Sequence, residues 1–375
     1  MSSIDDYRDG FSEDPGYLDF ASFGPMGRAV VAEQAALDEI HVRARFGAAN
    51  VFDEQDIRVR EAVRRVTGFP TERIVFQPNT SIGLFHAMFG LSGQVLYSAR
   101  EYPSIPVAAQ RAAQALHVLD QITMEPPAGV VTPSVVRDNL TPATTAVAVS
   151  LVDYRTGYKV DLEGIRDVIG DRLLIVDAIQ GFGVTEAPYE VADVVVAGGQ
   201  KWVRAGWGTG FLGLSERAAT DLVPLISGVS GTIVPLGGSY DEVPPPLQGA
   251  AAFQVTRCDP IAQARFATAL EGIADAGVGQ IAGAIALTVS AVIDIADEFA
   301  IPVVSSRDET ERAGIVVLQP EAGHVTALTA ALINHGVTAT VRDGLVRLSV
   351  HVSTGEETLG ALRGALTSYG SAIQY

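Results

Sequence analysis

The stretch ADVVVAGGQKWVRAGWGTGFLGL, from Ala192 to Leu214, limits what this chain can fold into more than any other. The apolar run Val194 to Ala197 ends in two glycines, delivers Lys201, and is followed by a second glycine-rich apolar run, a pattern that reads as strand, loop, lysine, strand. Continuous apolar runs of this kind mark strands buried on both faces, which is the situation in a parallel sheet covered by helices. A second such run, Leu173 to Val176, ends in Asp177. An acid and an amine are therefore expected at the carboxyl edge of one open α/β sheet, where such sheets bind ligands. A lysine placed there loses part of its hydration, so its pKa falls and it becomes a nucleophile or a Schiff-base amine. A carboxylate left at the same edge needs a cationic partner.

Length and composition read as a soluble globular chain, long enough for two domains. Its 375 residues, 47% hydrophobic and 19% charged, suffice for a large core. A net charge of −18 argues against a nucleic-acid partner or an anionic membrane surface. The single cysteine, Cys258, excludes an intrachain disulfide and a cysteine-rich metal site. The acidic start MSSIDDYRDG has no hydrophobic segment, so a cytoplasmic protein is expected. Residues Ile273 to Ala300 are apolar but interrupted by Asp275, Gln280, Asp294, Asp297 and Glu298; they read as a pair of buried or half-buried helices and not as a membrane span.

Along the chain, a short extended piece at Tyr17 to Phe20 precedes a turn-rich segment. Helices are expected from about Gly27 to Arg45 and Asp53 to Thr67, and a strand from Arg73 to Gln77. Pro78 breaks that strand before Asn79, Thr80 and Ser81, residues that cap helices, open an apolar helical run to Phe89. This is either an ordinary capped helix or an anion site built on free amides and the helix dipole. Strands follow at Val95 to Ser98 and Ala146 to Val152, with a short helix inside the proline-rich residues 125–142. The glycines at 206, 208, 210 and 213 do not open a helix after a first strand, so a dinucleotide loop is a poor reading. Beyond Ile261 come a long helix, a strand from Gly314 to Gln319, a helix from Val325 to His335, a hairpin turning at Asp343 and Gly344, and a last helix. On the second hairpin strand Arg347, Ser349 and His351 share one face, and Val346, Leu348, Val350 and Val352 share the other, which is the core face; His351 is expected to be structural.

The motifs YLDFASFG at 17–24, NTSIGL at 79–84, VDAIQGFG at 176–183, GGQKW at 198–202 and VRLSVHVSTGEE at 346–357 run in order over nearly the whole chain. Together they resemble the class V aminotransferases of the fold-type I pyridoxal phosphate enzymes. The resemblance implies a large domain (26–260) with a mostly parallel seven-stranded sheet flanked by helices, a small α+β C-terminal domain (261–375), and an N-terminal arm (1–25) associated with the small domain. It further implies pyridoxal 5'-phosphate as cofactor, bound as a Schiff base to Lys201, with Asp177 on the pyridine nitrogen so that the ring accepts electrons. Asn79, Thr80, Ser81 and Gln200 fall where the phosphate is held, Tyr102 where an aromatic covers the ring, and Gln180 where the ring hydroxyl oxygen receives a hydrogen bond. Asp153, in the DYRTG run, would sit near the ring oxygen or the substrate. Arg347 would grip the substrate's α-carboxylate, and Thr232, in the loop SGVSGTIVPLGG, would reach the phosphate of a partner subunit in a homodimer. Two positions depart from the commoner pattern: Gly198 stands where a hydroxyl residue is usual, and Gln200 where histidine is.

An amino-acid substrate and a class V aminotransferase-like reaction are expected, with a β-lyase of the C–S or kynureninase-like C–C type, or an amino-acid epimerase, as alternatives. A non-catalytic cofactor-binding protein is a further one. Cys258 lies before the small domain and not in the loop preceding Arg347, which speaks against a cysteine desulfurase with its persulfide carrier.

Overall fold

A computed structural model of the chain describes residues 3–43, 45–127, 129–233 and 242–373. Its centre is a seven-stranded sheet of β1 (Ile74–Phe76), β2 (Gly93–Ser98), β3 (Leu119–Met124), β4 (Thr144–Ser150), β5 (Leu173–Asp177), β6 (Val194–Gly198) and β7 (Gly210–Leu214). The spatial order is β1-β7-β6-β5-β4-β2-β3. The pairs from β6 to β3 are parallel, and β7 alone runs against its two neighbours. Strands β5, β6 and β7 are buried at every residue, which is why each reads as an unbroken apolar run. The edge strand β3, LDQITM, gives no apolar run to read in the sequence, since only its end residues Leu119 and Met124 are buried.

A second sheet of three antiparallel strands, β8 (Ile315–Leu318), β9 (Thr340–Arg342) and β10 (Leu345–Ser349), has the order β8-β10-β9. The hairpin between β9 and β10 turns at Asp343 (φ 54°) and Gly344 (φ 78°), the two positive φ values of a tight hairpin turn. The helix Pro260–Ala276 packs on helices Arg28–Arg43 and Ala48–Thr67. Gly277 separates it from Val278–Glu298, a helix long and apolar enough to cross a membrane. Its buried residues, among them Ile281, Val289 and Ile293, belong to the main hydrophobic core and it packs against β8, as a core helix does.

Both faces of β10 are covered. Val346, Leu348, Val350 and Val352 are buried as expected, but Ser349 and His351 are fully buried too, because the N-terminal segment lies over them. The Ser349 amide donates to the Leu18 carbonyl at 2.7 Å and the Ser349 hydroxyl receives the Ala21 amide at 2.9 Å. The same segment reaches the lysine loop, where the Gly24 amide donates to the Gln200 carbonyl at 2.8 Å. Gly24 is required there: a Cβ would collide with the Lys201 carbonyl and the Arg204 side chain. The arm thus ties the small sheet to the edge of the large one.

Candidate active site

A cavity of about 650 Å³ opens at the carboxyl edge of the large sheet, and its lining includes Asp177, Lys201, Tyr102 and Arg347. Asp177 is the last residue of β5 and is 2% exposed. Its Oδ1 accepts the Ile179 amide at 3.0 Å. Burial raises its pKa to about 6, against the pull of that hydrogen bond and of the Lys201 charge. Lys201 follows β6 in the loop to β7. Burial lowers its amine to about 8, with Asp177 opposing the shift and Arg347 adding to it. The Lys201 amine makes no hydrogen bond or ion pair among the described residues; its Nζ lies 5.5 Å from the centre of the Tyr102 ring. Tyr102 stands edge-on to Tyr154, ring centres 5.2 Å apart.

Asn79, Thr80, Ser81 and Gln200 line the same cavity. The Asn79 side chain caps the helix Thr80–Gly90 by accepting the Ile82 amide at 3.0 Å. By helix geometry the amides of Thr80 and Ser81 have no acceptor within the helix. The Thr80 hydroxyl is buried without a hydrogen-bond partner, while Ser81 pairs with Ser104 at 3.0 Å. The departure at Gly198 has a steric explanation: a Cβ there would collide with the Gln200 Oε1 and press on Thr80 Oγ1. The Gln200 side chain occupies the space that a hydroxyl residue would need.

Gln180 also lines the cavity, but protein groups hold its amide. Its Nε2 donates to the Ala21 carbonyl at 3.0 Å and its Oε1 accepts from Trp202 Nε1 at 2.8 Å, leaving one Nε2 hydrogen for a ligand. Arg347, on β10, is held by the Tyr154 carbonyl (3.2 Å), the Ser22 hydroxyl (2.9 Å) and the Thr340 hydroxyl (3.1 Å), with Asp19 at 3.6 Å. Its Nε is buried and without a partner.

Two expected site residues do not line this cavity, one of them, Thr232, being expected at a partner subunit's site. Asp153 is not among the lining residues: its Oδ1 accepts the amides of Arg155 (2.6 Å) and Thr156 (2.8 Å), closing a turn, and the next residue, Tyr154, faces the cavity instead. Thr232 is also outside this cavity, its hydroxyl donating to the Val229 carbonyl at 2.8 Å. Residues 234–241 of the same loop lie outside the described residues.

Glu101 was not singled out in the sequence. Its carboxylate accepts the Ser150 amide at 3.1 Å and pairs with the Ser150 hydroxyl, and Ser150 is the β4 partner of Asp177. Burial raises the Glu101 pKa to about 7, hydrogen bonds from Ser150 opposing and the Asp177 charge assisting. This buried carboxyl anchors the loop carrying Tyr102 to the strand beside Asp177. Arg100, Arg155 and Arg342 also line the cavity.

Comparisons with known proteins agree with this architecture. No curated protein matches the sequence. Among solved structures, the chain is similar to a cysteine desulfurase from Thermococcus onnurineus NA1, with 22% identity over 97% of each chain and a TM-score of 0.85. It is similar also to the cystine C–S lyase C-DES in complex with its product cysteine persulfide (18% identity, 94% of this chain and 97% of that one, TM-score 0.84). A variant of that lyase with glycine covalently linked to its pyridoxal phosphate cofactor has a TM-score of 0.85 at 17% identity, covering 94% of this chain and 96% of that one. At these identities the likeness establishes the fold. Residues 41–252, more than half of the chain, match the model of the aminotransferase class-V family, and the chain belongs to that family.

Proposed function

We propose that this chain is a pyridoxal phosphate-dependent enzyme that transfers the amino group of an amino acid, with Lys201 moving the α-proton. The residues present fit the cofactor. Thr80 offers an unpartnered hydroxyl beside a helix N-terminus for a phosphate. Asp177 offers a buried carboxylate with one oxygen free of protein hydrogen bonds for a protonated ring nitrogen. When bound, pyridoxal phosphate supplies a ring that withdraws electrons from the substrate's α-carbon.

The protein's own part follows from charge and position. Asp177 would keep a proton on the ring nitrogen, and Tyr102, whose ring lies 5.5 Å from the lysine's Nζ, would pack against the ring. Arg347 takes the α-carboxylate, for which its planar guanidinium is suited, and the arm residues Asp19 and Ser22 fix its orientation. Burial lowers the Lys201 pKa to about 8, so a larger share of it is free amine near neutral pH than for an ordinary lysine, and that amine can accept the α-proton and return it. The observation that carries the reading is the meeting of Asp177, Lys201 and Arg347 in one cavity with a free helix N-terminus.

A second reading, β-elimination, is supported by the likeness to a cystine C–S lyase. Cys258 does not line the cavity, so this reading uses no sulfur carrier on the chain's own thiol. Absorbance of the purified holoprotein tests the first step: a band near the visible edge is expected, lost in Lys201→Ala, and an unchanged band in that variant defeats the assignment. Product formation that requires an added keto acid marks transamination. Pyruvate release without one marks a lyase, and solvent deuterium at Cα with retained amine marks an epimerase.

The same proposal includes a homodimer in the cytoplasm. Leu225, Val229, Ile233 and Val255 are exposed apolar residues near the Thr232 segment, a face that a second copy would cover while presenting Thr232 to its partner's phosphate site. Light scattering of the holoprotein is expected to give twice the chain mass; a monomer would remove Thr232 from the site.

A further inference from the structure

The cavity carries a charge opposite to that of the chain. Its lining has five cationic side chains, Arg100, Arg155, Lys201, Arg342 and Arg347, against two carboxylates, Asp177 and Asp343, in a protein of net charge −18. On the reading above, the cofactor's phosphate goes to Asn79, Thr80, Ser81 and Gln200, and the α-carboxylate goes to Arg347. Arg100, Arg155 and Arg342 then have no assigned anion. None of the three forms an ion pair among the described residues, whereas arginines elsewhere meet carboxylates, as Arg65 meets Asp275 and Arg363 meets Glu298 at 2.7 and 2.8 Å.

Arg155 is held by its neighbour while Asp153 and Asp343 act on its charge from a distance, and Arg342 is exposed. Arg155 donates from Nε to the Tyr154 hydroxyl at 2.9 Å, and its guanidinium carbon lies 5.4 Å from the centre of the Tyr154 ring, so its two terminal nitrogens stay free. Arg342 ends β9, directly across the hairpin from Leu345, and its charge reaches Arg347. Five cations gathered around one opening outnumber the nearby carboxylates Asp153, Asp177 and Asp343, and the remaining positive charge favours an anion.

We infer that the substrate is an α-amino acid bearing a second anionic group, a carboxylate in the simplest case, received by Arg155 and Arg342 at the mouth while Arg347 holds the α-carboxylate. This rests on the function proposed above, and it differs from what a neutral amino acid would require.

Calorimetric titration of the holoprotein with glutarate, which has two carboxylates and no amine, reads the arginines without turnover. Butyrate serves as the single-charge control. Glutarate is expected to bind at least about tenfold tighter than butyrate, the weight of one charge-assisted hydrogen bond. In Arg155→Gln and Arg342→Gln the ratio is expected to fall toward one. In parallel, the cofactor band should respond to glutamate or aspartate at concentrations at least about tenfold below those needed for glutamine or asparagine. Equal binding of glutarate and butyrate, or a ratio that both substitutions leave intact, overturns the inference. So does a loss of cofactor in either variant with the glutarate preference unchanged, which would assign these arginines to the phosphate. A holoprotein whose band answers acids and amides alike retains the proposed function and rejects this substrate class. A protein with no band rejects the function itself, while glutarate binding still reads the cluster.

Discussion

Lys201 and Arg204 stand three residues apart on one loop, both withdrawn from water, and they are treated in opposite ways. Arg204 is 0% exposed and every part of its guanidinium is met: Nη1 reaches Glu13 Oε1 at 3.0 Å and the Ser353 hydroxyl at 2.8 Å, Nε reaches the Pro25 carbonyl at 2.6 Å, and the Phe11 ring lies 3.8 Å away. Its backbone is held in the left-handed region at φ 61°. The Lys201 amine has no hydrogen bond or ion pair among the described residues. A buried charge is costly unless paired. The saturated cation therefore belongs to the architecture, joining the arm, the lysine loop and the end of β10. The unsatisfied one is kept for a ligand.

The widest separation between the two is expected from substitution. Lys201→Ala should reduce kcat by roughly 10⁴-fold, the upper range for a group that moves a proton. The same change should leave urea stability equal or higher, since it removes an amine whose desolvation outweighs the attraction of Asp177 and Asp19. Arg204→Met should do the reverse to stability, lowering it by about 3–5 kcal/mol because Glu13 is left buried without its counter-charge. Adding Glu13→Gln to Arg204→Met should recover part of that loss. If urea denaturation shows Arg204→Met to cost less than Lys201→Ala, the contrast between the two cations fails.

How much of this was legible depended on whether a residue's role is local. The strands β5 and β6 announce themselves because burial on both faces forces unbroken apolar runs, and the polar residues that follow them are then placed at the sheet edge. Asp343 and Gly344 specify their hairpin by backbone conformation alone. Asp153 is open to two readings for one reason: a short carboxylate after a strand suits a ligand and equally suits two nearby amides, which here hold its Oδ1. The polar face of β10 could not be assigned from its alternation, since the cover at Ser349 comes from residues more than 320 positions away. Glu101 looks like an ordinary loop acid between Arg100 and Tyr102; only the fold brings Ser150 to it. The arginines at 100, 155 and 342 share no motif and meet only because three separate loops and strand ends converge on the cavity.

The smallest expected effect uses pH to set Asp177 against Glu13. The Asp177 pKa is raised from 3.8 to about 6 by burial, so between those values the folded, cofactor-free protein binds more protons than the unfolded chain. Its contribution to stability is complete below about pH 4 and is lost as pH rises through 6, amounting to about 3 kcal/mol for two pKa units. Glu13 has the opposite sign: burial would raise its pKa, but Arg204 and Ser353 override it and hold it below its usual value, so its contribution is present above the ordinary glutamate range and lost as pH falls. Urea titrations of cofactor-free protein from about pH 3 to 6 should therefore show Asp177→Asn removing a decline as pH rises from about 4 to 6, and Glu13→Gln removing a gain at the acid end, below about 4.5. With cofactor bound, a protonated ring nitrogen beside Asp177 should abolish the decline in the wild-type protein as well, because the carboxylate then has the partner that Glu13 already has in Arg204. Superimposable wild-type and Asp177→Asn curves in the cofactor-free state would mean that Asp177 is no more strained than Glu13, and the distinction between an architectural charge and a waiting one would not hold at this edge of the sheet.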